Sequence, residues 1–146
     1  MHALNNEIME SFSQINKAIY RLVKADADRI GITVVQLKAI YMLSYNPNIS
    51  LGELAEKLRL TNSTVSGVID RLVQNGLVER IVPPENRRMV SIHLTEKGKN
   101  MLDNHFLSES ILINKLNEVM DLPEEDIEEL LRLHNLILST LTFEGE

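Results

Sequence analysis

Thr61-Asn62-Ser63-Thr64-Val65-Ser66-Gly67-Val68-Ile69-Asp70-Arg71-Leu72-Val73-Gln74-Asn75-Gly76 spells a short helix with both ends marked. The Thr61 hydroxyl can cap the N-terminus, and Gly76 supplies the left-handed residue that closes the C-terminus. Val65, Val68, Ile69, Leu72 and Val73 recur at helical spacing and predict one buried stripe. The other face shows Asn62, Ser63, Thr64, Ser66, Gly67, Asp70, Arg71 and Gln74. A face that is only solvated usually carries long Glu and Lys, which are better helix formers. Small hydrogen-bonding groups at a helix start suit close approach to a surface dense in donors and acceptors, such as a DNA major groove.

Immediately upstream, Ser50 with Glu53 three residues later is a capping box that opens a helix over Leu51 to Leu58. Arg59 and Leu60 leave only a tight connection before Thr61. Two short helices joined by a few residues predict a helix-turn-helix. Downstream, Leu77 to Val82 is β-branched and partly alternating, and Met89 to Leu94 alternates. Between them Pro83-Pro84-Glu85-Asn86-Arg87-Arg88 makes a turn with two arginines at its tip. A β-hairpin directly after a helix-turn-helix is the wing of a winged helix, and the pair of signals is more specific than either alone.

The flanks read as helices. Leu4 to about Arg29 carries Ile8, Phe12, Ile15, Ile19, Leu22 and Val23 near a 3.6 period, and Gly31 ends it. Thr33 caps an apolar helix from Val34 to about Tyr45, which Asn46-Pro47-Asn48 breaks. Thr95 caps a long helix expected to run to about Met120. Glu124 to about Leu141 is the last, with acidic residues in its first turns, where the helix dipole favours them. Its leucines are nearly continuous, more apolar surface than one small domain needs. Together with the first helix they predict a subunit interface. Lys97 and Lys99 read as a solvated helix face.

The net charge of −6 is unevenly spread. Lys57 to Lys99 holds 8 basic and 4 acidic residues, whereas Asn100 to Glu146 holds 2 basic and 11 acidic. The positive charge is therefore centred on the helix-turn-helix and hairpin, as a polyanion-binding surface requires. There is no cysteine, which excludes disulfides, thiolate metal sites and cysteine redox switches. His2, His93, His105 and His134 are scattered, so no metal site is expected. Neither a phosphate-binding glycine loop nor a hydrolase motif occurs, and no enzyme activity or cofactor is expected. With no apolar run of membrane length and no signal peptide at Met1 to Glu10, the expected compartment is the cytoplasm.

Six segments in order carry a family resemblance: Ser50-x-x-Glu53-Leu54-Ala55, Ser63-Thr64-Val65-Ser66, Asp70-Arg71-Leu72, Asn75-Gly76-Leu77-Val78-Glu79-Arg80, Arg87-Arg88 and Leu94-Thr95-Glu96-Lys97-Gly98. This pattern resembles the MarR family of bacterial winged helix-turn-helix transcription regulators. The resemblance implies a mainly α fold with a small β-hairpin wing. Residues 1–32 would form an N-terminal dimerisation helix, 33–99 the DNA-binding lobe and 100–146 the C-terminal dimerisation helices, all one structural domain in an intertwined homodimer. It implies double-stranded DNA as partner, with the recognition helix in the major groove and a wing arginine in the minor groove. Asn62, Ser63, Thr64, Ser66 and Arg71 are the candidate contacts on the helix, and Arg87 and Arg88 those on the wing. Arg71 has a structural alternative, pairing with Asp70 or Glu79. Asn86 stands where the family commonly has an aspartate that holds the wing arginine; it can accept a hydrogen bond but lacks the charge. Family members are most often repressors, and a small amphipathic or phenolic effector is a further expected partner. The competing reading is a winged-helix protein-interaction module without DNA binding.

Overall fold

Local capping signals set most helix boundaries in the computed structural model, which describes residues 2–86, 88–107 and 109–142. Helix α1 (His2–Ile30) closes on Gly31 at φ +84°, a left-handed conformation that glycine adopts without penalty. Gly31 N donates to Asp28 O at 3.2 Å and Ile32 N to Ala27 O at 3.0 Å, the Schellman pattern that satisfies the last carbonyls. Thr33 caps α2 (Val34–Tyr45), and Gln36 reaches back to the Thr33 amide. The Ser50–Glu53 capping box opens α3 (Leu51–Leu58) as expected. Thr61 caps α4 (Asn62–Gln74), accepting from Thr64 N, and Gly76 at φ +73° closes it.

The hairpin strands are shorter than the sequence predicts: β2 (Val78–Ile81) and β3 (Ser91–Leu94), antiparallel with Arg80 opposite Ile92. A two-residue strand, β1 (Ile49–Ser50), pairs with the other edge of β3, giving the order β1-β3-β2. The core lies where α2, α3 and α4 meet this sheet. Ile40, Leu54, Val65, Ile69 and Leu72 are fully buried there. Val68 and Val73 are half-buried against it. Burying a side chain of this kind stabilises by roughly 1.5–3 kcal/mol. The inner stripe of α4 therefore fixes the helix and leaves its outer face free for another task.

The long helix expected from Thr95 to Met120 is not continuous. It is divided into α5 (Glu96–Met101), a π-helical segment (Leu102–Leu107) and α6 (Ile111–Val119). The cause lies far away in sequence. Asp26 of α1 is 1% exposed and accepts hydrogen bonds from the Ser110 hydroxyl and the Ile111 amide, both at 2.7 Å. An orphan amide at a new helix start is thereby satisfied by a buried carboxylate. Burial pushes the Tyr41 phenol well above its ordinary pKa, and the charge of Asp26 adds to the effect. After Pro123, α7 (Glu124–Leu141) runs as expected.

The chain divides into two compact units, Met1–Ile111 and Leu112–Glu146. In the first, α1 exposes Leu4, Ile8, Met9, Ile15 and Ile19. In the second, Leu116, Leu131, Leu136, Leu138 and Leu141 are exposed, and neither α6 nor α7 has a buried residue. Among the described residues no helix is long and apolar enough to cross a membrane.

Candidate nucleic-acid interface

With α4 buried on one side, its outer residues fall into two rows. Residues four apart share a helix face, so Asn62, Ser66 and Asp70 form one row and Ser63, Gly67 and Arg71 the next. Asn62, Ser63, Thr64, Gly67, Asp70 and Arg71 are exposed, and Ser66 is half-buried. The Thr61 hydroxyl oxygen accepts from Thr64 N at 3.3 Å, and lies 2.9 Å from the Thr64 hydroxyl and 3.3 Å from that of Ser63. Capping thus orients two of the candidate contact hydroxyls and leaves each with acceptor capacity. A Cβ on Gly67 would meet nothing within 4 Å, so this position is a flat spot in the middle of the face.

The far end of α4 is held by the segment after β3. The Thr95 hydroxyl donates to Gly76 O at 2.6 Å, Lys97 Nζ donates to Asn75 O at 2.9 Å, and Thr95 N donates to Leu77 O at 3.1 Å. Gly98 packs so closely that a Cβ there would lie 2.1 Å from Leu77 O. Lys97 is therefore not merely a solvated lysine. It caps the negative end of the recognition helix, where a cation is favoured. Its partner is 22 residues back, which is why periodicity alone assigned it to solvent.

Arg71 forms no ion pair among the described residues. The carboxylate it could have taken, that of Asp70, pairs instead with Arg80 Nη2 at 2.5 Å. Arg71 lines an open polar crevice of about 650 Å³ together with Gly31, Thr33, Gln36, Gln74 and Asn75. Beyond β2, the hairpin tip turns through Asn86 N to Pro83 O at 3.3 Å and Met89 N to Asn86 O at 3.1 Å. Asn86 Oδ1 accepts from the backbone amide of Arg88 at 3.2 Å. It shapes the turn and leaves the exposed Arg88 guanidinium unengaged by that side chain. Arg87 lies outside the described residues. The structure therefore places Asn62, Ser63, Thr64, Ser66 and Arg71 on one helix and Arg88 on the adjoining hairpin. The roles of Arg80 and Lys97 are not legible in the sequence, because each acts on a partner in another element, Asp70 and Asn75 respectively.

Among the described residues no group of three or more His, Asp or Glu side chains could hold a metal ion. The His93 ring is engaged with the Ser91 hydroxyl, Nε2 to Oγ at 2.8 Å.

Residues 32–90 match the sequence profile of the MarR family. The chain is 32% identical over 96 residues to the HTH-type transcriptional regulator YsmB of Bacillus subtilis (strain 168), covering 66% of each protein. It is 26% identical over 95 residues to the HTH-type transcriptional repressor MdtR of the same organism, covering 65% of this chain and 61% of MdtR. The chain thus spans two thirds or less of the length of these two regulators. In fold it is similar to a MarR family protein from Bacillus stearothermophilus, with a TM-score of 0.80 at 24% identity over 97% of this chain and 99% of that one.

Proposed function

The chain belongs to the MarR family of helix-turn-helix transcription regulators, and from that premise we propose that it acts in the cytoplasm as a homodimeric repressor on a pseudo-palindromic operator. It is a DNA-binding regulator and not an enzyme. The observation that carries the finer reading is the outer face of α4. This face is polar and, apart from half-buried Ser66, exposed, while Val65, Ile69 and Leu72 on the inner side of the same helix are fully buried. Asn62, Ser63, Thr64 and Ser66 contact base edges and phosphate in the major groove. Arg71 takes a backbone phosphate. Arg88, with Arg87, enters the minor groove. The local excess of basic residues supports this assignment, because phosphate neutralisation dominates affinity.

Self-association is supported by the apolar rows left exposed on α1 and, separately, in the Leu112–Glu146 unit. The repressor role of MdtR is consistent with the same sign of regulation here. A small amphipathic or phenolic effector has a candidate place in a cavity of about 360 Å³ within the first unit, where Leu43, Leu94 and Leu102 offer apolar wall and Lys99 and Asp103 opposite charges.

Selection of bound sequences from random duplex DNA tests the reading. The expected product is a pseudo-palindrome with half-sites about one helical turn, ~10 bp, apart. No enrichment would refute DNA readout, and an isolated half-site would refute the dimer. On the selected sequence, Arg88→Ala should weaken binding by about 1–3 kcal/mol if it makes a groove contact.

A further inference from the structure

Asp70 is the anomaly of the recognition helix. It lies on the same row as Asn62 and Ser66, so its carboxylate belongs to the surface that faces a polyanion. Left alone there it would repel phosphate. It is not alone: Arg80 Nη2 sits 2.5 Å from Asp70 Oδ1, with the two side chains 33% and 55% exposed for Arg80 and Asp70. Arg80 belongs to β2. Its neighbour two residues back, Val78, is 1% exposed, so both side chains leave the strand on the face that packs towards α4. β2 also leads directly to the hairpin tip that carries Arg88. The ion pair therefore ties the DNA-facing row of α4 to the base of the wing.

We infer that Asp70 and Arg80 are a positioning pair that sets the distance between the recognition helix and the wing, and so matches major-groove and minor-groove contacts on one operator half-site. Arg80 also cancels the carboxylate charge where phosphate approaches. This rests on the DNA-binding reading above. Its failure is separable, because the parent protein must first select and bind an operator.

The test is a double-mutant cycle on the selected operator with Asp70→Asn, Arg80→Gln and both together. Affinity is measured at several salt concentrations and melting at fixed protein concentration. Removing a negative charge from a DNA-facing surface should by simple electrostatics tighten binding. A positioning pair gives the opposite sign. Each single variant should bind about fivefold or more weakly, the double variant no worse than either single, as coupled neighbours do. The parent's salt slope should persist, because the number of phosphate contacts is unchanged. Repeating the sequence selection with Asp70→Asn should blur the positions read by the wing and keep those read by α4. Tighter or unchanged binding of Asp70→Asn overturns the inference. So do additive losses, which would make Arg80 an independent DNA contact, and a fall in melting temperature that parallels the loss, which would make the pair a fold contact only.

Discussion

Replacing Gly67 with alanine should move folding and DNA binding in opposite directions. Gly67 lies mid-way along α4, and a Cβ built there meets nothing within 4 Å. In the free protein the added methyl therefore costs no packing, and the helix gains the difference in intrinsic propensity, about 0.8–1 kcal/mol. For a chain of this size that raises the melting temperature by roughly 2–4 °C. On DNA the same methyl stands between Ser63 and Arg71, at the flattest point of the face. If a base edge or sugar packs against that point, the overpacking costs on the order of 1–3 kcal/mol, a loss of about 5- to 150-fold in affinity. Thermal melts at fixed protein concentration and fluorescence anisotropy on the selected operator measure the two terms independently. A variant that melts higher and binds as well as the parent would show that nothing approaches Gly67, and the groove-facing assignment of this row would be wrong.

Gly98→Ala should destabilise by about 3 kcal/mol or more in urea unfolding, because its Cβ would lie 2.1 Å from a backbone oxygen that cannot swing away. Asp26→Asn should cost about 1–3 kcal/mol and lower hydrogen-exchange protection at Ile111, since Ser110 Oγ and Ile111 N donate to different carboxylate oxygens and an amide keeps only one of them as an acceptor. Tyr41 supplies a pH test. Its folded pKa is raised above the ordinary 10.0, so only the unfolded chain ionises it readily. Its contribution is full below about pH 10 and is lost as the pH rises further. Melts between about pH 9 and about pH 11 should decline less steeply for Tyr41→Phe than for the parent.

What could be read from the sequence was what is encoded locally. The caps at Thr33 and Thr61, the capping box at Ser50 and the glycine stops at Gly31 and Gly76 all sit within a few residues of the ends they mark. The winged helix-turn-helix was legible because those signals come in series. Features decided by distant partners were not. Strand β1 has two residues and no alternation to detect. The break in the helix after Met101 is invisible because Leu102, Phe106, Ile111 and Leu112 keep a helical spacing across it. It is imposed by Asp26, 84 residues from Ser110. The same reason hid Arg80, whose role depends on Asp70 across a helix–strand contact.

Both ends of α4 are closed by contacts that tolerate no slippage: the Thr61 hydroxyl at one end, Thr95, Lys97 and Gly98 at the other. A helix fixed in this way cannot gain or lose a turn, or ratchet along its axis, without breaking several hydrogen bonds at once. Divergence of the target sequence is then confined to exchanging outward side chains on an unchanged rod. For engineering this is an advantage. Positions 62, 63, 66 and 67 can be randomised as a library with the backbone held constant, and any new specificity recovered can be attributed to side-chain chemistry alone.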